Sequence, residues 1–183
     1  MASVLVPLAQ GCEELEAVTI IDLLVRAGIE VVSAGLEPGP VRCSRGVTIL
    51  PDTTLDEALK RDFDMLVLPG GLPGADHLDA DPRIRSLLKT MAAKGQYTAA
   101  ICAAPKVLAS SGLLSGRRAT AYPGTLEKLN LPDTTLTGEA VVIDGHVITS
   151  RGPGTAMDFA LALIEILRGS DKRNEVETAL QRP

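Results

Sequence analysis

Cys102 is the residue whose sequence surroundings best suit nucleophilic chemistry. The aliphatic run from Tyr97 leads directly into it, and a helix is predicted to begin near Pro105. Ala100 and Ala104 stand two residues before and after the cysteine, where a sharp strand-to-helix turn needs small side chains. At such a turn the helix dipole lowers the pKa of a thiol, and backbone N–H groups can stabilise an oxyanion. The alternative is a small buried hydrophobic residue that merely ends a strand.

Three acidic residues, Glu13, Glu14 and Glu16, follow the first predicted strand at the start of a predicted helix. In a parallel sheet this places them at the same carboxyl edge as Cys102. Interaction with the helix dipole explains Glu13 and Glu14 without any catalytic role, and could also explain Glu16. However, Glu16 can turn inward when Glu13 faces solvent. A buried carboxyl there would have a raised pKa and could donate a hydrogen bond to a thiolate or move a proton.

Two glycine-containing loops follow other predicted strands and are expected near the same edge. Pro69-Gly70-Gly71 could place a backbone N–H group opposite Cys102, or could form a plain turn. The loop Ser150–Thr155 contains two glycines and a proline, and it leads into an apolar helix that Thr155 is expected to cap. The loop could simply connect the hairpin to the helix, or it could contribute to the site.

Neither a metal site nor a nucleotide site is predicted. His77 and His146 are the only histidines, and neither has a second His or Cys at metal-ligand spacing. A Cys–His pair would need one of them to fold back onto Cys102, which we regard as the less favoured case. The chain has no glycine-rich phosphate-binding motif. Cys12 and Cys43 lie outside any strand-to-helix pattern and are interpreted as structural.

The elements that must position these residues alternate between short aliphatic strands and amphipathic helices. Strands are predicted at Ser3–Leu8, Ile29–Ala34, Gly46–Leu50, Asp64–Leu68, Tyr97–Ile101 and Ala119–Tyr122, with a hairpin pairing Ala140–Ile143 and Val147–Ser150. Helices are predicted at Glu13–Ala27, from Asp81-Pro82 to Gly95, from Pro105, from Thr155 to Gly169, and from a Ser170 cap to about Leu180. This alternation predicts an α/β fold with a mostly parallel sheet, helices on both faces and one antiparallel hairpin.

Composition excludes several function classes. The chain has 183 residues, enough for one α/β domain, with 45% hydrophobic and 22% charged residues. A net charge of −5 and 2% aromatic residues argue against specific nucleic-acid binding. The longest apolar stretch, Ala156–Leu167, contains Asp158 and Glu165 and is too short to span a bilayer. An odd count of three cysteines indicates free thiols in a reducing compartment, so a cytoplasmic protein without membrane association is expected.

Several segments in the same order resemble the ThiJ/PfpI superfamily, in the branch of the parkinsonism-associated protein deglycase and its bacterial relatives. The resemblance covers nearly the whole chain as one domain, residues 1–183. It rests on segments that include Leu8–Glu16, Arg26–Gly28, Cys43–Arg45, Leu68–Gly71, Ala99–Pro105 and Thr149–Thr155.

The resemblance implies a flavodoxin-like doubly wound fold, a homodimer and a reaction that needs no cofactor. It makes Cys102 the reactive cysteine and Glu16 the carboxyl that hydrogen-bonds its sulfur. It also places the backbone N–H groups of Gly71 and of Ala103 or Cys102 near the oxyanion. The last predicted helix, Ser170–Leu180, resembles the C-terminal helix of this branch.

Three further residues, Tyr122, Arg26 and Arg45, are expected from the resemblance to contact the substrate or to support the residues that do. In relatives Arg26 and Arg45 line a small anion-binding patch by the dimer interface. Relatives often carry a histidine before a proline near the cysteine, but here Tyr122 precedes Pro123. Tyrosine can donate a hydrogen bond but cannot act as a base near neutral pH. A mechanism that uses only Cys102 and Glu16 is unaffected by this difference.

The resemblance implies a cofactor-independent glyoxalase or deglycase. Its substrates would be 2-oxoaldehydes such as methylglyoxal, or their early adducts with protein and nucleotide groups. The alternative is a redox-sensing stress-response protein or chaperone that uses the same oxidisable cysteine. A protease is disfavoured because the family histidine is missing.

Overall fold

A seven-stranded sheet forms the centre of the molecule. The computed structural model describes residues 1–182. The strands are β1 Ser3–Leu8, β2 Glu30–Gly35, β3 Val41–Arg42, β4 Thr48–Ile49, β5 Thr53–Thr54, β6 Met65–Leu68, β7 Tyr97–Ile101, β8 Arg118–Ala119, β9 Thr135–Leu136, β10 Val141–Asp144 and β11 Val147–Ser150. The helices are α1 Glu14–Arg26, α2 Leu55–Ala58, α3 Gly74–Ala80, α4 Pro82–Ala93, α5 Pro105–Ser110, α6 Ala156–Arg168 and α7 Ser170–Ala179.

The strand order of the main sheet is β10-β11-β7-β6-β1-β2-β5. All neighbours in it run parallel except β10, which pairs antiparallel with β11 through the predicted Asp144-Gly145 turn. The five inner strands therefore follow the order of a flavodoxin-like doubly wound sheet. β1 lies at the centre and is buried along its whole length, as its uninterrupted aliphatic sequence predicts. The predicted fold class is thus confirmed.

Helices cover both faces of the sheet. Alternate residues of β1 enter different cores, because successive side chains of a strand point to opposite faces. Val4 and Val6 pack in the core that contains residues of α1 and α6, whereas Leu5 packs in the core that contains residues of α2, α4 and α5. In the part of the chain that the structure describes, no helix is both long and apolar enough to cross a membrane.

The sheet order brings the carboxyl ends of β1, β6 and β7 side by side. The loops that leave these three strands carry Glu13, Gly70 and Cys102, respectively. Residues far apart in the sequence therefore meet at one edge, the usual position of sites in such sheets.

Several local predictions need correction. The strand predicted at Gly46–Leu50 is only the two-residue β4, which pairs with β3 in a hairpin separate from the main sheet. Thr155 precedes α6 but makes no side-chain cap, because its hydroxyl instead accepts the N–H of Gly152 within a 3₁₀ turn. Gly169 occupies the cap position of α7, so Ser170 is its first helical residue rather than its cap.

Short elements were missed because they carry little periodicity. The segment around His77 forms α3, and α2 occupies only one turn. Of the extended segment predicted at Ala119–Tyr122, only Ala119 lies in a strand, where β8 pairs with β9.

Candidate active site

Cys102 occupies a strained turn between β7 and α5. Its φ is 64°, a left-handed value that is uncommon for a residue with a side chain. Its N–H donates to the carbonyl oxygen of Ser150 at 3.0 Å, and its own carbonyl accepts the N–H of Tyr122 at 2.9 Å. These bonds hold the strained backbone from both sides, which is the condition under which such a conformation persists at a functional site.

Glu16 faces inward from α1 and has no exposed surface. Its Oε2 accepts the backbone N–H of Gly70 at 2.8 Å, while Oε1 has no hydrogen-bond partner among residues 1–182. Burial raises the pKa of Glu16 to about 7, against the opposing effects of the Gly70 N–H and the Cys102 thiol. A protonated carboxyl fits this position, because an unpaired oxygen is far more costly on a buried carboxylate than on a neutral acid.

The pKa of the Cys102 thiol shifts in the direction opposite to the one predicted from the sequence. Burial and the adjacent Glu16 carboxylate raise its pKa to about 12, whereas the N–H groups of Gly71 and Ala103 lower it. The expected decrease at a helix N-terminus is therefore wrong, because α5 has only six residues and the side chain is surrounded by protein. The thiol–carboxyl pair holds two protons below about pH 7 and one proton above it, and a thiolate forms when that one proton moves from sulfur to Glu16.

Gly70 and Gly71 allow three loops to meet at van der Waals distance. A Cβ at Gly70 would lie 2.6 Å from Cβ of Cys102 and 2.8 Å from Oε2 of Glu16. At Gly71, where φ is +87°, a Cβ would lie 2.3 Å from the backbone nitrogen of Glu13. Since real Cβ atoms do not approach so closely, the glycines serve close approach and not merely a turn.

The N–H groups of Gly71 and Ala103 both lower the pKa of the Cys102 thiol, so they remain the candidate donors to an oxyanion. The N–H of Cys102, the other donor that the sequence left open, is already used by the Ser150 carbonyl. The geometry therefore favours Ala103 over Cys102 as the second donor.

The loop after β11 lies beside the sulfur of Cys102 and borders the approach to it. A Cβ at Gly152 would lie 4.0 Å from Sγ of Cys102 and 3.2 Å from Cδ2 of Tyr122. Tyr122 is half-exposed, and it lines a pocket of about 200 Å³ together with Pro123 and the loop 151–155. The sequence placed this loop near the active edge but did not single out Gly152, because its closeness to Cys102 depends on the pairing of β11 with β7.

The recorded contacts of the two predicted arginines are with acidic residues other than Glu16. Arg26 pairs with Asp22 in the last turn of α1, ten residues beyond Glu16 and so about 15 Å along the helix axis. Arg45 is exposed, and its backbone N–H donates to the Glu14 carboxylate. Their assignment to an anion-binding patch at a dimer interface stays a prediction.

Neither histidine is placed to assist the cysteine. His77 lies on α3 with Nδ1 3.0 Å from the carbonyl oxygen of Gln10. His146 packs against Tyr97, at the opposite end of β7 from Cys102. Within residues 1–182 no three His, Cys, Asp or Glu side chains are grouped so that they could hold a metal ion.

Known proteins resemble the chain over almost its full length. The DJ-1/PfpI family matches residues 2–166. Protein dj-1beta of Drosophila melanogaster is 46% identical over 97% of this chain and 96% of its own. The crystal structure of that protein superposes with a TM-score of 0.95 at 44% identity, covering 100% of this chain and 98% of the other.

Two further relatives are informative about function. The glutathione-independent glyoxalase DJR-1.2 of Caenorhabditis elegans is 39% identical over 96% of this chain and 92% of its own. The structure of oxidized DJ-1 from Toxoplasma gondii superposes with a TM-score of 0.93 at 39% identity, covering 98% of each chain.

Proposed function

The chain belongs to the DJ-1/PfpI family, and we propose that it is a cofactor-independent glyoxalase or deglycase. It would convert 2-oxoaldehydes such as methylglyoxal, free or as early adducts with protein and nucleotide groups, into 2-hydroxy acids. The observation that carries the proposal is the buried Cys102–Glu16 pair, which holds one mobile proton beside two backbone donors. The glutathione-independent glyoxalase among the relatives supports the same reaction.

The first step is addition to the aldehyde. The thiol proton first moves to the Glu16 carboxylate, and the Cys102 thiolate formed in this way attacks the aldehyde carbon to form a C–S bond. The carbonyl electron pair moves to oxygen, where the N–H groups of Gly71 and Ala103 stabilise the negative charge. Glu16 then donates its proton to that oxygen, which gives a neutral hemithioacetal and leaves a carboxylate at Glu16.

The second step moves a proton between the two carbons. The Glu16 carboxylate removes the proton from the former aldehyde carbon, giving an enediolate, and returns it to the neighbouring carbon; Glu16 also carries the hydroxyl proton from the first oxygen to the second. The product is a thioester of the 2-hydroxy acid on Cys102. Water then attacks the thioester carbonyl and gives one proton to the Glu16 carboxylate, the C–S bond breaks, and the acid and the Cys102 thiolate are released. The overall reaction adds one water to the oxoaldehyde and needs neither a redox cofactor nor a metal.

The test measures 2-hydroxy acid formation from methylglyoxal without glutathione. Wild type should reach a kcat/KM of about 10⁴ M⁻¹s⁻¹ or more, the lower range for ordinary enzymes. Cys102→Ser should abolish turnover, while Cys43→Ala, which removes a thiol outside the site, should keep it under reducing conditions. Negligible turnover by folded wild-type protein would contradict the proposal.

We also propose that the protein is a homodimer, on the basis of an exposed apolar surface. Along α1, Leu15, Val18 and Val25 are each exposed by at least half, and Val47 and Leu50 are exposed in the segment around β4. Apolar side chains grouped in this way mark association surfaces. Val18→Glu should produce monomers in sedimentation analysis. Ile143→Glu, an equally exposed position on β10, should remain dimeric.

The second candidate function is redox sensing through the same cysteine, with or without chaperone activity. Cys102 is 8% exposed and its sulfur lies beside a carboxyl that can donate a hydrogen bond to an oxidised sulfur. The oxidized structure of a relative supports this candidate. The free cysteines Cys12, Cys43 and Cys102 suit a reducing compartment such as the cytoplasm. Negligible aldehyde turnover together with rapid peroxide oxidation of Cys102 would favour sensing.

A further inference from the structure

The sulfur atoms of Cys12 and Cys43 lie next to each other, and the proposed reaction uses neither of them. Their Sγ atoms lie 3.6 Å apart although the residues are 31 positions apart in the sequence. Cys12 lies in the loop between β1 and α1, and Cys43 directly follows β3. Both are buried, with no exposed surface at Cys12 and 5% at Cys43.

The backbones on both sides of this pair are held against each other. The N–H of Ser44 donates to the carbonyl of Cys12 at 2.8 Å, and the N–H of Gly11 donates to the carbonyl of Arg42 at 2.8 Å. Adjacent, hydrogen-bonded chain segments have Cα separations within the range that a disulfide tolerates. The sulfurs would need to approach by only about 1.5 Å to reach a disulfide bond length of about 2.05 Å.

Side-chain contacts strengthen the same junction. Glu14, at the start of α1, accepts the backbone N–H groups of Arg45 and Val47, and Ser44 Oγ donates to the Glu13 carboxylate at 2.8 Å. The hairpin of β3 and β4 is thus tied to the loop that leads into α1. The two thiols are therefore already held next to each other in the folded protein.

We propose that Cys12 and Cys43 are a second oxidation site, separate from Cys102, at which a hydroperoxide forms an intrachain disulfide. One thiolate attacks a peroxide oxygen, which breaks the O–O bond and gives a sulfenic acid and, for hydrogen peroxide, one water after proton transfer. The other thiol attacks that sulfur, forms the S–S bond and expels a second water. Two thiols are oxidised and one peroxide is reduced. Cys43 reacts first because it retains some exposed surface.

The disulfide would act on the candidate active site through the loop that carries Cys12. The next residue, Glu13, donates its N–H to the carbonyl of Gly70 at 2.9 Å, and the Cys12 backbone packs against Gly71. A covalent link from Cys12 to the hairpin therefore fixes the loop that supports the Gly70–Gly71 turn. Burial raises the pKa of both thiols, so the reaction proceeds from a small thiolate population and is expected to be slow.

The test uses Cys102→Ser protein, so that only this pair can react. Treatment with hydrogen peroxide should lower the intact mass by that of two hydrogen atoms. A non-reducing peptide map should show the peptides of Cys12 and Cys43 joined, and dithiothreitol should restore both thiols. The melting temperature should rise by several degrees on oxidation, because the bridge closes a segment of about 30 residues.

Matched variants and contrary outcomes keep the proposal falsifiable. Cys12→Ala and Cys43→Ala, each in the Cys102→Ser background and checked for native melting, should show no such mass decrease. Persistence of both thiols, oxygen addition without a link, or a link between two chains would overturn the proposal. A fall in melting temperature on oxidation would show that the native geometry does not accommodate the bridge, and would overturn it as well.

Discussion

The backbone N–H of Gly70 donates a 2.8 Å hydrogen bond to Oε2 of Glu16, across 54 positions of sequence. This bond joins the loop after β6 to the first turn of α1, directly beside Cys102. It leaves the other carboxyl oxygen of Glu16 without a partner among the described residues, so that one oxygen is fixed and the other is available to carry the proton. The orientation of the proposed acid–base group is thus set by a glycine from a different loop.

Substitution of Gly70 by alanine should damage both stability and reactivity. The added Cβ would lie 2.6 Å from Cβ of Cys102 and 2.8 Å from the carbonyl oxygen of Ile101. Overpacking of this kind typically costs about 1–3 kcal/mol. Thermal melting and the rate of Cys102 alkylation should both fall. Gly138→Ala is the matched control, because a Cβ there meets no atom within 4 Å and both measurements should stay at wild-type values.

The alkylation of Cys102 should follow the first deprotonation of the thiol–carboxyl pair. The pKa of Glu16 is raised to about 7, so below that pH the pair holds two protons and no thiolate. Above it the pair holds one proton, and the thiolate fraction becomes independent of pH until the second proton leaves near pH 12. The iodoacetamide rate should therefore rise through about pH 7 and then reach a plateau.

Glu16→Gln should shift the pH profile of the iodoacetamide rate to higher pH. Without the carboxyl no proton can transfer from sulfur to a neighbouring acid, so the thiol titrates alone and its inflection should lie above the wild-type value. Glu127→Gln, at an exposed position, should leave the profile unchanged. An unaltered profile in Glu16→Gln would remove Glu16 from the mechanism.

Folding stability should depend on pH through the same carboxyl. The folded-state pKa of Glu16, about 7, exceeds its ordinary value, so the folded protein binds more protons than the unfolded chain between about pH 4.5 and 7. Its stabilising contribution is present below that range and is lost as pH rises through 7. The difference in unfolding free energy between Glu16→Gln and wild type should shift by up to about 3 kcal/mol in favour of the variant between pH 5 and pH 8. Urea unfolding of both proteins at the two pH values measures it, and equal differences would contradict a buried, neutral Glu16.

The architecture could be predicted well from the sequence, because the aliphatic composition of the central strands shows that they are buried. An uninterrupted aliphatic run such as Ser3–Leu8 has to lie inside a covered parallel sheet, and the small residues around Cys102 mark its turn. The inward orientation of Glu16 was one of two orientations that the sequence allowed, and the structure shows it buried on α1.

Long-range contacts could not be predicted in the same way. The direction of the Cys102 pKa shift depends on total burial and on a carboxyl 86 positions away, neither of which a local pattern contains. The approach of Cys12 to Cys43 depends on a hairpin whose strands have only two residues each, too short to show any periodicity. Both features arise when loops from different strands meet at one edge of the sheet.

Tyr122→Phe should keep most of the aldehyde activity. The backbone N–H of Tyr122, which the substitution preserves, donates to the Cys102 carbonyl and supports the strained turn. The ring borders the approach over Gly152, and phenylalanine retains its shape. The phenol hydroxyl is not needed in a reaction whose proton transfers all pass through Glu16. Steady-state kinetics with methylglyoxal should therefore show a kcat/KM within a few-fold of wild type, whereas a loss beyond about a hundredfold, the lower range of a general acid–base contribution, would assign the hydroxyl a proton-transfer role.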